Sequence, residues 1–295
     1  MGVRSDILAA YEMGDSRHVS VTRELGSIIG ITIVALLIAV AGSGPAAAQE
    51  PTRGRAFAGN AAGGGDGSDQ EQVVADTTEY PARAVGTLTF TQAGSPGTCT
   101  AFLVDKNSLL TAAHCVHGGS GDTPDAWSTG IVFDPGHNGT ATPYRTCNGV
   151  EAHAPDAWRT GGDERVDYAV VQLDCGIGRQ VGWFGLWLSG RGNDLDGLGV
   201  KVRGYPDDLA GTQWRGGGRV TGTTPRLVFH NARTRGDADG GPVYVATPAC
   251  GGPCALTVQA DEPHGGAGVH AGGPHGPRFT QEPFAQILGW AAENG

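Results

Sequence analysis

The sequence predicts an all-β protein, and three observations carry that reading. The 295 residues include 51 glycines and 17 prolines, against a usual Gly share of ~7%. Short β-type apolar runs alternate with glycine-rich turns, at 84–90, 99–104, 108–113, 167–173, 200–205, 227–229, 241–245 and 255–260. Hydrophobic residues make up 39% of the chain, enough to build a core, while charged residues are only 17%, below the ~25% norm. This composition excludes a coiled coil and argues against wholesale disorder.

The N-terminus reads as an address. Residues 28–41 are apolar apart from Gly30 and Thr32, and Ala46-Ala47-Ala48 follows. That is a secretory h-region with an A-x-A cleavage site, so residues 1–48 are expected to be a signal peptide. The run is short of the ~20 apolar residues of a spanning helix, so no membrane attachment is expected after cleavage. Residues 49–77, with their Gly-rich stretch from Gly59 to Asp69, read as a linker or pro-segment.

One helix is expected, at the C-terminus. Thr280 is placed to N-cap it, with Gln281, Glu282 and Pro283 in the first turn. Phe284, Ile287, Leu288 and Ala291 then form an apolar stripe for packing.

The formal charge is −10. That disfavours nucleic acid, which needs a basic face. All six cysteines (Cys99, Cys115, Cys147, Cys175, Cys250 and Cys254) follow the leader. An even count in an exported chain reads as disulfides, with the connectivity open at this stage. His264, His270 and His275 match no metal-ligand spacing, and no metal or cofactor is expected.

Chemistry concentrates in three segments. An apolar strand runs into Thr111-Ala112-Ala113-His114-Cys115. Later, Asp167 stands at the mouth of Tyr168-Ala169-Val170-Val171-Gln172-Leu173. Further on comes Gly236-Asp237-Ala238-Asp239-Gly240-Gly241-Pro242-Val243-Tyr244. A base His oriented by a buried acid, beside a third residue on a glycine turn, is the arrangement that activates a nucleophile.

These segments resemble the chymotrypsin-fold (trypsin-like) serine endopeptidases, in the order His, Asp, nucleophile. Phe133-Asp134-Pro135-Gly136-His137, Gly204-Tyr205-Pro206-Asp207 and Gly268-Val269-His270-Ala271-Gly272-Gly273 narrow the resemblance to the glutamyl-endopeptidase branch. The resemblance implies two antiparallel β-barrels with a cleft between them, at 78–182 and 183–295, the second including the C-terminal helix. It implies a monomer acting on peptide or protein substrates, with His114 as base, Asp167 as its orienting acid, and His270 lining a pocket for an acidic side chain. The disulfide pairings expected are Cys99–Cys115, Cys147–Cys175 and Cys250–Cys254.

The pattern breaks at the nucleophile. The family motif has Ser immediately before Gly-Gly-Pro, and here that residue is Asp239. Asp237 stands where a Gly usually lends its N–H to the oxyanion hole, which the backbone of Asp237 and Asp239 would form. A carboxylate has no proton for His114 to remove, and its charge opposes a developing oxyanion. The expectation is a secreted member of this peptidase family with little or no activity. The alternative is a pseudo-peptidase that binds peptides or a protein partner in its cleft.

Overall fold

A computed structural model describes residues 72–190, 192–233, 238–247, 250–260 and 273–293. The expected leader, most of the expected linker, and Asp237, His264 and His270 lie outside the described residues.

The first lobe is a closed barrel of six strands: β2 (Val85–Gln92), β3 (Ser95–Leu103), β4 (Ser108–Thr111), β5 (Thr129–Pro135), β6 (Cys147–His153) and β7 (Ala169–Leu173). They close in the order β2-β3-β4-β7-β6-β5, with β5 pairing back onto β2. Successive side chains on a strand point to opposite faces, and on β4, β7 and the second half of β3 both faces are covered. Ala101, Leu103, Leu109 and Val171 fill the barrel core, while their neighbours Phe102, Leu110 and Val170 pack in a second cluster with Tyr205, Tyr244 and Ile287. Burial on both faces explains why 99–104 and 108–113 read as continuous apolar runs rather than alternating ones.

The second lobe is an eight-stranded sheet. It holds β1 (Gln72–Val73), β8 (Gly185–Leu186), β9 (Gly199–Gly204), β10 (Trp214–Thr223), β11 (Leu227–His230), β12 (Pro242–Thr247), β13 (Gly252–Val258) and β14 (His275–Pro277). The order is β14-β11-β10-β9-β12-β13-β8, with β1 beside β10. Every pair is antiparallel except β13 with β8. The sheet curls so that β14 returns beside the end of β13. Ala260 N–H donates to the His275 carbonyl at 3.2 Å, and Thr257 Oγ1 donates to the Pro277 carbonyl at 2.7 Å. Val200, Val202, Trp214, Val228, Val243 and Leu256 fill this lobe's core.

Polar side chains stitch the lobes together. Thr100 on β3 accepts the Tyr205 N–H at its Oγ1, 2.9 Å away. Gln213 Nε2 donates to the Ala82 carbonyl and to Tyr205 Oη, and its Oε1 accepts from buried Arg203. These groups sit out of water with partners, as buried polar groups must.

The C-terminal helix, α3 (Gln281–Ala292), lies against β4 and β7, where Ser108 Oγ donates to the Ala291 carbonyl and Gln172 Nε2 to the Trp290 carbonyl. Two details of its expected form are corrected. Thr280 occupies the N-cap with extended backbone, but its side chain makes no capping bond. Leu288 is 49% exposed, and Trp290 takes the packing role assigned to it. Two short helices were not anticipated, α1 (Asp156–Gly161) and α2 (Gly178–Val181). A proline precedes α1 and a left-handed Gly162 ends it, a common way to bound so short a piece. No helix among the described residues is long and apolar enough to cross a membrane.

All six cysteines are paired as Cys99–Cys115, Cys147–Cys175 and Cys250–Cys254. The first joins β3 to the turn after β4, the second ties the start of β6 to the segment after β7, and the third closes the β12–β13 connection.

Candidate active site

The site forms where three chain turns meet. His114 sits in a 3-10 turn, Ala113–Cys115, that follows β4 directly. Cys115 is covalently fixed to Cys99, and the His114 carbonyl accepts from Gln92 Nε2 at 3.0 Å. The backbone carrying the imidazole is therefore held from two sides.

Asp167 ends a second 3-10 turn, Glu164–Val166, just before β7. Its residue exposure is 2%, and both carboxylate oxygens face the His114 segment. Oδ1 accepts the His114 backbone N–H at 2.9 Å, and Oδ2 lies 2.7 Å from His114 Nδ1. A carboxylate there favours the Nδ1–H form of the ring and leaves Nε2 on its opposite edge.

Asp239 faces that second nitrogen, its Oδ2 3.5 Å from His114 Nε2 and its side chain 4% exposed. Its position is set by the turn that follows. Gly240 has φ +86°, and a Cβ there would come within 2.0 Å of the Thr100 carbonyl oxygen and 2.3 Å of Thr111 Oγ1. A Cβ on Gly241 would meet the Arg203 carbonyl at 2.2 Å. Only glycine fits either place. The turn is pinned by Thr100 N–H donating to the Asp239 carbonyl at 2.8 Å and by Gly240 N–H donating to the Gln259 carbonyl at 2.7 Å.

The structure thus brings together His114, Asp167 and Asp239. Asp237 and His270 fall outside the described residues. His137 is held by Asp134, Nδ1 to Oδ2 at 2.9 Å, and its carbonyl accepts from Tyr205 Oη at 2.8 Å.

Two residues beside the site were not flagged by the sequence. Thr100 links the Asp239 turn, Thr111 and Tyr205 through its backbone N–H, carbonyl and hydroxyl. Gln259, at the end of β13, takes the Gly240 N–H on its carbonyl, and its Oε1 lies 3.0 Å from His230 Nε2. Burial pushes the His230 imidazole down to about 4. The one signal for Gln259 is a polar residue inside the apolar run 255–260, a weak mark without the fold.

Electrostatically, each ring nitrogen of His114 faces a carboxylate.

Comparison with known proteins places the chain in a family. A model of the trypsin-like peptidase domain matches residues 99–248. A glutamyl endopeptidase of Bacillus licheniformis is 32% identical over 229 residues, covering 76% of this chain and 68% of that protein. An extracellular metalloprotease of Bacillus subtilis is 29% identical over 228 residues, covering 76% and 69%. Among solved structures, a Glu endopeptidase in complex with MPD superposes with a TM-score of 0.61 at 25% identity, over 76% of this chain and 97% of that one. The protease Anisep from Arthrobacter nicotinovorans shares the fold at TM-score 0.60 and 23% identity, over 76% of this chain and 99% of that one. On these matches and the shared fold, the chain belongs to the trypsin-like peptidase family.

Proposed function

We propose that this is a secreted trypsin-like peptidase whose cleft retains the His–Asp pair but has Asp239 at the nucleophile's place, leaving little or no peptide-bond hydrolysis. The observation that carries the reading is the 3.5 Å approach of Asp239 Oδ2 to His114 Nε2, where the reaction needs a hydroxyl. A carboxylate offers no proton to the base, and attack through it would give an anhydride that readily reverts. Its charge also lies where an oxyanion would develop. Loss of the nucleophile in a comparable triad costs roughly 10⁶ in turnover, leaving ~10³–10⁴ over water.

Preference for Glu or Asp before the scissile bond follows from the similarity to glutamyl endopeptidases, with His270 as the group that would meet the acid. Export is supported by the leader pattern and by three disulfides, which persist in oxidising compartments. The second reading is a pseudo-peptidase that holds peptides or a protein partner in the cleft. The intact His114–Asp167 pair favours it, because a collapsed site would not keep a 2.7 Å bond.

The test pairs two measurements on the purified protein. Labelling with a serine-directed fluorophosphonate and hydrolysis of Glu-containing peptides should both be at background. Stoichiometric labelling, or turnover comparable with an active family member, contradicts the reading. Binding of uncleaved acidic peptides would select the pseudo-peptidase form.

A further inference from the structure

We infer that Glu151, His153 and Glu293 form a zinc-class metal site, away from the cleft, that fastens the C-terminal helix to the barrel. Glu151 and His153 are two apart on β6 and so share a face of the strand. Glu293 is the C-cap of α3. Their donor atoms lie within 4.8 Å of one another.

The distances are compatible with three donors around one ion. His153 Nε2 is 3.5 Å from Glu151 Oε1 and 3.4 Å from Glu293 Oε2. Nε2 is shielded from solvent, yet makes no hydrogen bond. A tetrahedral ion with bonds of about 2.0–2.2 Å sets neighbouring donor atoms ~3.3–3.5 Å apart. The spacing suits one ion shared by three donors.

Two further observations point to a cation. Glu293 sits at the negative end of the α3 dipole, and the last turn of α3 has no basic residue. A second carboxylate converges on the same point. The His153 ring is also pre-set, stacked on Trp290 with centroids 5.6 Å apart and planes at 9°. The other clusters of such donors among the described residues include cysteines that are tied up in disulfides. One imidazole with two carboxylates suits Zn²⁺ better than the all-oxygen sites of Ca²⁺ or Mg²⁺. Three protein ligands leave a fourth position for water.

The test is Zn²⁺ titration of the purified, chelator-treated full chain by calorimetry, beside thermal denaturation. One Zn²⁺ per chain should bind saturably, and at a hundredfold excess over Kd the melting midpoint should rise by about 5 °C. Glu293→Gln and Glu151→Gln lie on half-exposed positions and should fold with an unchanged circular dichroism spectrum, yet lose at least tenfold in Zn²⁺ affinity and most of the thermal shift. No saturable uptake in the parent, uptake undiminished in both variants, or binding of Ca²⁺ in preference to Zn²⁺ would each overturn the assignment.

Discussion

On the proposed function, Asp239 decides what the site can do. It lies on the one side of His114 that Asp167 leaves open, 3.5 Å from Nε2. The turn holding Asp239 has no tolerance for a side chain. Gly240→Ala puts a Cβ 2.0 Å from the Thr100 carbonyl at φ +86°, so it should cost well over ~1 kcal/mol in denaturant unfolding. His114 and Asp167 were legible in the sequence, because each sits at a strand end in a short, specific motif. Thr100 and Gln259 were not. Their partners, Asp239, Tyr205 and His230, are distant in the chain, and only the fold brings them near.

The strands divide by how their side chains are used. β4, β7 and the second half of β3 are buried on both faces and stood out as apolar runs. β10 did not, since its centre is Gly216-Gly217-Gly218 and glycine usually signals a turn. Here the glycines serve close backbone approach: a Cβ on Gly218 would come within 2.4 Å of Ala232, and one on Gly216 within 2.3 Å of the Arg233 carbonyl. β6 was missed because its side chains are mostly exposed or half-buried, leaving no apolar signature. The Cys99–Cys115 bridge ties the His114 turn to β3. Replacing both cysteines with Ala should lower stability by roughly 2–4 kcal/mol. A loss near zero would mean that packing alone holds the turn.

Stability of the folded chain should depend on pH through buried histidines. Burial lowers both His117 and His230, the latter to about 4. An unfolded imidazole takes its proton near ~6.5, while folded His230 resists until about 4. The folded state is thus unpenalised above the unfolded value, loses stability as pH falls through that window, and loses no more below it. For His230 the full loss is roughly 3 kcal/mol. Urea midpoints between pH 7 and 4 should decline less steeply in His230→Gln than in the parent. Equal slopes would assign the acid sensitivity elsewhere.

The two-lobed all-β architecture was legible as a class from glycine punctuation and from the motifs. The parallel β13–β8 pair and the polar stitching by Gln213 and Arg203 depend on contacts that no local pattern encodes. Export is a separate expectation from residues 1–48. Protein from culture supernatant should begin at Gln49 or further in, and an intact, membrane-bound chain would refute it.

The proposed function turns on Asp239, so the most direct measurement places a hydroxyl there. Asp239→Ser, alone and with Asp237→Gly to free the oxyanion hole, should be assayed on peptides differing only in Glu, Lys or Leu before the scissile bond. The prediction is a rise in kcat/KM of several orders of magnitude over the parent, greatest on the Glu substrate, with new fluorophosphonate labelling at position 239. A folded double variant as inert as the parent, or a parent already as active as the variants, would contradict it.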